Sequence, residues 1–353
     1  MSRESFEVSP NLPVLDTPPA RRRSGLNLLT MAEKAIQTRL DDLLKFEKHV
    51  RAGTDIEALH DMRVASRRLR ESLRIYGGLY SQKRLKQGMK GVRQVTRALG
   101  LVREVDVNIE QLEAWRKALG EAFAIPIEYS LALEQSRQRR LRKKMFARLD
   151  DLNLDELQAD ISKVLQRPHR DVQQKKGEEE IGARDRYVVF ARSHIESGLA
   201  LVLPRLEQVS SKRTLHKYHL LRIQVKKFRY SLELLSRAFD SHRAIRILKQ
   251  LKSIQDELGA LHDHSVLHST VRAMRAQLRK SALPHLEKHL LRLMRVLALK
   301  QDAQQKKVEA HLRRLVLLRF FDRIPAALKE GSSSPAIPLT IPPPPTLGSK
   351  TSV

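Results

Sequence analysis

The most informative segment of the chain is residues 60–70, which read HDMRVASRRLR. At about 100° of rotation per residue, five side chains of this region share a wedge roughly 80° wide: His60, Arg63, Arg67, Arg70 and Arg74. Four apolar side chains lie on roughly the opposite side: Met62, Leu69, Leu73 and Tyr76. This spacing predicts an amphipathic helix that buries one face and presents a row of cationic groups on the other. Such a row favours the binding of a polyanion.

The same pattern occurs again at residues 219–229, which read HLLRIQVKKFR. The two histidines are separated by 219 − 60 = 159 residues, and the pair Leu99-Gly100 recurs as Leu258-Gly259 at the same offset. No gap is needed between these points. We interpret the repeat as an internal duplication. A duplicated helical unit is expected to pack about a pseudo-twofold axis.

A second basic row follows on residues 82–99. Its cations have the spacing of the first row: Lys83, Lys86, Lys90, Arg93 and Arg97. In the second half of the chain, Lys249 and Lys252 keep this basic side. We expect Gly100 to end the helix and a new helix to begin near Arg103. Two consecutive helices in each half should therefore carry a basic face.

The chain is predicted to be all-α, because no segment shows the strict apolar–polar alternation of a strand. Stretches rich in Pro or polar residues divide it. We expect a disordered N-terminal segment, a first helical-bundle repeat, a linker, a second repeat and a disordered Pro/Ser-rich tail: residues 1–26, 27–167, 168–183, 184–329 and 330–353. Besides the basic helices, further helices are expected at residues 28–51, 127–150, 184–209, 282–300 and 305–328.

Composition restricts the possible partners. The chain has 67 Lys and Arg against 40 Asp and Glu, a formal net charge of +27. This excess attracts anions, so nucleic acid, polyphosphate and anionic membrane are the candidate partners. The absence of cysteine excludes disulfides and thiol catalysis and is compatible with the cytoplasm. No stretch approaches the roughly 20 apolar residues that cross a bilayer, and we find no secretory pattern.

Two motifs recur in order in both halves. In the first half they are His60-x-x-Arg63-x-x-x-Arg67-Arg68-x-Arg70 and Leu99-Gly100-x-x-Arg103-Glu104-x-Asp106-Val107. In the second half they are His219-x-x-Arg222-x-x-x-Lys226-Lys227-x-Arg229-Tyr230-x-x-Glu233 and Leu258-Gly259-x-x-His262-Asp263. Over about residues 28–328 the chain resembles the CHAD domain, the conserved histidine α-helical domain. The resemblance implies two tandem helical bundles with pseudo-twofold symmetry around a basic central cavity that binds inorganic polyphosphate, and association with polyphosphate granules.

The predicted polyphosphate site draws on both halves. From the first half it takes His60, Arg63, Arg67, Arg68, Arg70, Arg74, Lys86, Lys90, Arg93, Arg97 and Arg103. From the second half it takes His219, Arg222, Lys226, Lys227, Arg229, Tyr230, Lys249 and Lys252. We predict no catalytic residue, no metal and no cofactor. The sequence does not indicate an oligomeric state.

Two other functions remain open. Sequence-nonspecific binding of nucleic acid rests on phosphate contacts and would suit the same basic faces. However, Tyr230 is the one aromatic residue among them, which disfavours a stacking platform for single strands. A polyphosphate hydrolase would need a carboxylate cluster for Mg²⁺ or an activated nucleophile, and we find neither in the sequence.

Structural interpretations compete with each functional one. A basic stripe on a helix is most often a solvated face, and we interpret the dense basic run at residues 137–144 in this way. His60 and His219 could each be a structural histidine near a helix start. Asp263 is interpreted as a helix cap. His285 and His289 have helical spacing for a shared metal, but no third ligand is evident.

Overall fold

The computed structural model describes residues 27–52, 56–168, 180–239, 241–279 and 284–329. Nearly all of these residues are helical, and their one β-type pairing is an isolated bridge between Tyr80 and Pro168. The predicted all-α class is confirmed. The predicted N-terminal segment, most of the linker and the predicted tail lie outside the described residues.

Eleven α-helices make up the described ranges. The first half contains α1 (Leu28–Lys45), α2 (Glu47–Ala52), α3 (Ile56–Tyr76), α4 (Gln82–Leu119), α5 (Ala124–Leu152) and α6 (Leu154–Leu165). The second half contains α7 (Glu180–Ser211), α8 (Leu215–Leu235), α9 (Ser241–Leu278), α10 (Pro284–Leu317) and α11 (Phe320–Lys329). Short 3₁₀ turns follow α3 and α8, at Gly77–Leu79 and Ser236–Ala238.

The motif helices have matching bounds in the two halves. α3 and α8 begin at residues 56 and 215, and α4 and α9 begin at residues 82 and 241. Both differences, 215 − 56 and 241 − 82, equal the 159-residue offset of the sequence motifs. α3 packs on α1 and α4, α8 packs on α7 and α9, and α3 also contacts α8. The pseudo-twofold relation between the halves stays a prediction.

The buried face of α3 is the predicted one. Met62, Leu69, Leu73 and Tyr76 are fully buried. Burying a side chain of this size stabilises the fold by about 1.5–3 kcal/mol relative to exposing it. Because these residues recur at helical spacing, their burial leaves the row of basic residues on the less buried side of α3.

Gly100 does not end a helix, and this expectation was wrong. α4 is a single helix of 38 residues that includes Gly100, and α9 includes Gly259 in the same way. A Cβ added at either glycine would meet no atom within 4 Å, so neither position requires glycine for space. Glycine within a helix costs about 1 kcal/mol relative to alanine. The buried Leu99 and Val102 continue the apolar face across Gly100 and offset that cost.

Three other boundaries also differ from the prediction. The helix expected at residues 28–51 is interrupted at Phe46. α7 begins at Glu180, within the predicted linker, and continues past Pro204 to Ser211. The helices expected at residues 282–300 and 305–328 are instead joined in α10, which ends at Leu317. Residues 301–304 contain neither Gly nor Pro, so nothing local breaks α10 there.

The core joins the two halves. One continuous hydrophobic cluster contains buried residues of α1, α3, α4, α7, α8 and α9. Tyr76 of α3 stacks on Phe190 of α7, with ring centroids 5.7 Å apart. A smaller cluster forms where the C-terminal parts of α4 and α9 meet α5 and α10. α3 and α8 are therefore held by packing on both sides, and their basic side chains have little freedom to move apart.

Candidate polyanion-binding site

The contact between α3 and α8 brings basic side chains of the two halves together. Burial, and then the positive charges of Arg67 and Arg103, lower the pKa of Arg63 to about 10, and Arg222 acts on Arg63 in the same direction. Such mutual effects require short distances, since water screens charges that lie far apart. We call the following group the basic cluster: Arg63, Arg67, Arg70, Arg103, Arg222 and Lys226.

Lys226 is the most perturbed member of the basic cluster. Burial, and then the charges of Arg67 and Arg222, lower its pKa from 10.5 to about 7. Arg63 and Arg70 contribute in the same direction. An ammonium group surrounded by guanidinium groups loses its proton more easily because each neighbour repels the charged form. The lowered pKa of Lys226 is therefore the result of burial together with repulsion from four neighbouring arginines.

One member of the basic cluster has a carboxylate in direct contact, because Arg103 forms an ion pair with Glu110 at 2.7 Å. Within the described residues, the side chains of Arg63, Arg67, Arg222 and Lys226 form no hydrogen bond and no ion pair within 4 Å. The Nε atoms of Arg63 and Arg67 are buried and have no hydrogen-bond partner in the part of the chain that the structure describes. Asp263 is near enough to act on Arg222 electrostatically, but burial raises the pKa of this carboxyl group. Buried cations without partners are costly, so the cluster is suited to an external anion.

Three histidines adjoin the basic cluster. Burial, and then the charge of Arg103, lower the pKa of His60 to about 4. The Nδ1 atoms of His219 and His262 are 3.3 Å apart. Burial, and then the charge of Arg222, lower the pKa of His262 to about 4, and the pKa of His219 is lowered mainly by burial. These imidazoles are neutral at pH 7, and a phosphate beside them would favour protonation.

A second group of basic side chains on α3 and α8 is already neutralised. Glu233, with 7% of its side chain exposed, accepts hydrogen bonds from Arg68 across the contact at 3.0 Å and from Arg229 at 3.2 Å. Arg74 forms an ion pair with Glu71 at 2.6 Å and donates to Ser231 Oγ at 3.1 Å. We call Arg68, Arg229 and Glu233 the Glu233 brace.

Comparison with known proteins identifies the family. The family model described as CHAD domain matches residues 34–272, more than half of the chain. The chain belongs to the CHAD family. The crystal structure of the CHAD domain from the plant Ricinus communis has a TM-score of 0.63 and 20% sequence identity, with 81% of this chain and 92% of that chain covered.

A second solved structure with this fold is PptA from Streptomyces chartreusis. Its TM-score is 0.54 at 14% identity, and the match covers 81% of this chain and 98% of that chain. Among curated proteins no match was found. At these identities the structural matches establish the CHAD fold and not a shared ligand.

The remaining predicted site residues have varied surroundings in this CHAD protein. Tyr230 is buried, and the Arg229 guanidinium lies over its ring at 4.7 Å. Lys252 is exposed and forms an ion pair with Asp256 at 2.7 Å, and Lys227 is partly buried. The other predicted cations are exposed: Lys86, Lys90, Arg93, Arg97 and Lys249. The predicted site therefore separates into an inner cluster, a brace and exposed rows, and its role in binding stays a prediction.

Sequence reasoning left His262 out of the site. The signal was present, because 262 − 103 = 159, so His262 corresponds to Arg103 under the duplication. Asp263 lies within α9, which begins at Ser241, so its interpretation as a helix cap was wrong. No comparable signal marked Arg137 or Arg140. Both line a cleft beside the histidine pair rather than lying only on a solvated surface.

Two further expectations concern metals and membranes. Among the residues that the structure describes, no group of three or more His, Asp or Glu side chains is arranged to hold a metal ion. None of the described helices is both long enough and apolar enough to cross a bilayer.

Proposed function

We propose that this CHAD protein binds inorganic polyphosphate without altering it chemically. The observation that carries the proposal is the basic cluster, in which cations of α3, α4 and α8 converge and Arg103 alone has a described carboxylate, Glu110, in direct contact. A phosphate chain supplies repeated negative charge along its length, and one chain segment can contact several cations at once. Burial and then repulsion between neighbouring cations lower the pKa values of Arg63 and Lys226, and a bound anion would offset the repulsion.

The residue types of the basic cluster suit phosphate. A guanidinium group can donate two parallel hydrogen bonds to one phosphate, and the cluster contains five arginines. Polyphosphate has no bases, so a site for it needs no stacking ring. Tyr230 is buried beneath Arg229 and offers no free face to a base on that side. These features favour polyphosphate over a single-stranded nucleic acid.

We propose binding rather than hydrolysis because the cluster consists of cationic donors. Of the two carboxyl groups beside it, Glu110 is paired with Arg103, and Asp263, which acts on Arg222 electrostatically, has a pKa raised by burial. Incubation with long-chain polyphosphate and Mg²⁺ or Mn²⁺ tests this part. We expect no release of orthophosphate above the protein-free rate. Release that disappears in a cluster variant would overturn the noncatalytic role.

The test of binding reverses two charges, one on each motif helix. Arg63→Glu with Arg222→Glu should weaken polyphosphate binding at least about 100-fold, because each reversal removes charge-assisted hydrogen bonds and adds repulsion. The matched control is Arg148→Glu with Arg295→Glu, two exposed arginines whose side chains form no hydrogen bond or ion pair with any described residue. Both double variants lower the net charge equally. If both weaken binding equally, only total charge matters and the cluster is not the site.

Competition separates polyphosphate from duplex DNA as the preferred ligand. Long-chain polyphosphate should displace labelled DNA at far lower phosphate concentration than the reverse, at a fixed salt concentration. Equal displacement would favour the alternative of sequence-nonspecific nucleic-acid binding.

We further propose that the protein acts in the cytoplasm on polyphosphate granules. A fluorescent fusion of the full chain should colocalise with granules, and the fusion carrying Arg63→Glu with Arg222→Glu should be diffuse. Colocalisation that survives this double substitution would mean that another surface directs the protein there.

A further inference from the structure

A cleft of about 710 Å³ opens beside the basic cluster. It lies where α5 approaches α8 and α9, and much of its wall is apolar. The apolar lining includes Leu133, Leu258, Leu261 and Met274. A volume of this size is within the range of small-molecule sites, roughly 300–1,000 Å³.

The cleft and the basic cluster are continuous. His219 and His262 line the cleft, and both imidazoles lie close enough to Arg222 and Lys226 for those charges to lower their pKa values. A ligand could therefore have one end in the cleft and its other end among the cations of α3 and α8. The histidine pair marks the point where the two environments meet.

The cleft is less cationic than the basic cluster. Arg137 on its wall has two carboxylate neighbours, Glu104 at 3.8 Å and Glu134 at 3.6 Å. Together with the leucines and Met274, this local neutralisation makes the cleft a poor path for an extended polyanion. An apolar wall gives no gain to phosphate oxygens, because such groups lose hydration without a compensating hydrogen bond.

We propose that the cleft holds the base of a nucleoside polyphosphate whose phosphates bind the basic cluster. This inference rests on the proposed function of the cluster and adds a second ligand class to it. A base is planar, uncharged and largely apolar on its faces, so burying it against leucine and methionine side chains is favourable. Its edges carry hydrogen-bonding groups, which need polar partners in the wall.

Polar partners for a base edge are present in the cleft. Ser265 and Thr270 provide hydroxyl groups. The Glu134 carboxylate, with 3% of its side chain exposed, is oriented by Asn108, whose Nδ2 donates to it at 3.0 Å. A carboxylate so fixed can accept from the exocyclic amino group of adenine, guanine or cytosine. The histidine rings and the exposed Arg140 at the wall offer flat groups on which a base can stack.

The test compares ATP with inorganic tripolyphosphate, without divalent metal, as competitors of labelled long-chain polyphosphate. Tripolyphosphate carries the higher charge, so a purely electrostatic site prefers it. We expect ATP to bind at least about tenfold more tightly than tripolyphosphate. Equal binding, or tighter binding of tripolyphosphate, would overturn the inference. If the protein does not bind long-chain polyphosphate either, the proposed function itself fails.

A matched pair of variants locates the effect. Ala273 and Ala276 are both exposed on α9, three residues apart, but only Ala273 lines the cleft. Ala273→Trp should remove the higher affinity for ATP relative to tripolyphosphate. Its affinity for tripolyphosphate itself should stay within twofold of the wild-type value. Ala276→Trp should keep the advantage. An advantage that survives Ala273→Trp would contradict a base in this cleft.

Photolabelling gives a second readout that needs no variant. 8-Azido-ATP should label peptides that contain residues 133–140 or 258–277, and excess long-chain polyphosphate should suppress the labelling by displacing the phosphates. Labelling confined to other peptides would overturn the inference even where ATP binds tightly.

Discussion

Arg67 and Arg68 are neighbours on α3, but the protein surrounds their charges differently. Arg68 donates to the buried Glu233, whereas Arg67 lies in the basic cluster with no hydrogen-bonded or ion-paired partner among the described residues. The same contrast holds on α8 between Arg229 and Lys226. A single carboxylate therefore divides one pair of basic helices into two regions. The Glu233 brace holds the helices together, and the basic cluster keeps unsatisfied donors for an anion.

This contrast predicts opposite responses to charge removal. Neutralising the acid of the brace should damage the fold and leave binding largely intact. Neutralising a cation of the basic cluster should weaken polyphosphate binding and stabilise the ligand-free protein against unfolding. Measuring the sign of the stability change together with the affinity for polyphosphate therefore distinguishes the Glu233 brace from the basic cluster.

The largest effect is expected for Glu233→Gln. The substitution leaves Arg68 and Arg229 without an anion in a mostly buried setting, and breaking such a pair should destabilise the fold by about 3 kcal/mol. Urea unfolding measures the change. Affinity for polyphosphate, measured well below the unfolding transition, should change less than about threefold.

The control for Glu233→Gln is Asp256→Asn. Asp256 and its partner Lys252 are both about half exposed, so this equal chemical change should alter stability by less than about 0.5 kcal/mol. Equal losses for the two variants would mean that Glu233 contributes no more than a surface acid.

Acidification should lower the stability of the folded protein through the histidines beside the basic cluster. His60 and His262 have pKa values of about 4 in the folded protein, below the ordinary 6.5. The unfolded chain therefore binds more protons between these values, and stability is lost as the pH falls below 6.5. Partial exposure screens the charges, so we expect a loss on the order of 2 kcal/mol for the two histidines between pH 7 and pH 5.

Polyphosphate should reduce this loss, because a bound anion favours the imidazolium forms. Urea unfolding at several pH values, with and without polyphosphate, measures both effects. Calorimetry in buffers of different ionisation enthalpy should also show proton uptake on binding near pH 6. A stability that is flat from pH 7 to pH 5 in His262→Gln and wild type alike would contradict the role of His262.

Lys226→Met should stabilise the ligand-free protein. Four arginines repel the Lys226 ammonium, and methionine fills a similar volume without charge, so we expect a gain of about 1 kcal/mol. Polyphosphate affinity should fall about tenfold because one contact is lost. Lys227→Met, which removes the same charge one residue later, should give no such gain. A destabilised Lys226→Met would show that an unrecognised anion already balances the cluster.

The sequence contained the positions of the basic cluster but not the division between cluster and brace. The wedge of His60 to Arg74 and the 159-residue offset predicted two basic helices and their buried faces. Which arginine is neutralised depends on a contact between residues 68 and 233, and helical periodicity carries no information on contacts between distant segments. The continuation of α4 through Gly100 was also hidden, because packing of Leu99 and Val102 overrides the local preference of glycine.

The cleft could not be predicted from the sequence for a related reason. The run at residues 137–144 covers several faces of α5, so its charge pattern alone is that of a solvated helix. Only the approach of α5 to α8 and α9 turns Arg137 and Arg140 toward His219 and His262 as common walls of one cleft. Composition within one helix cannot report which face another helix will cover.

The smallest effect is expected in the exposed basic row of α4. Lys86→Gln with Lys90→Gln should reduce polyphosphate affinity only about twofold to threefold at low salt, close to 0.5 kcal/mol, because exposed charges act through screened attraction. The reduction should vanish near 0.5 M salt, where the screening length is only a few ångströms. A loss comparable to that of Arg63→Glu with Arg222→Glu, persisting at high salt, would instead mean that the exposed row contacts the phosphate chain directly. In that case exposed cations would bind phosphate as the buried ones do, and the bound chain would extend from the basic cluster onto α4.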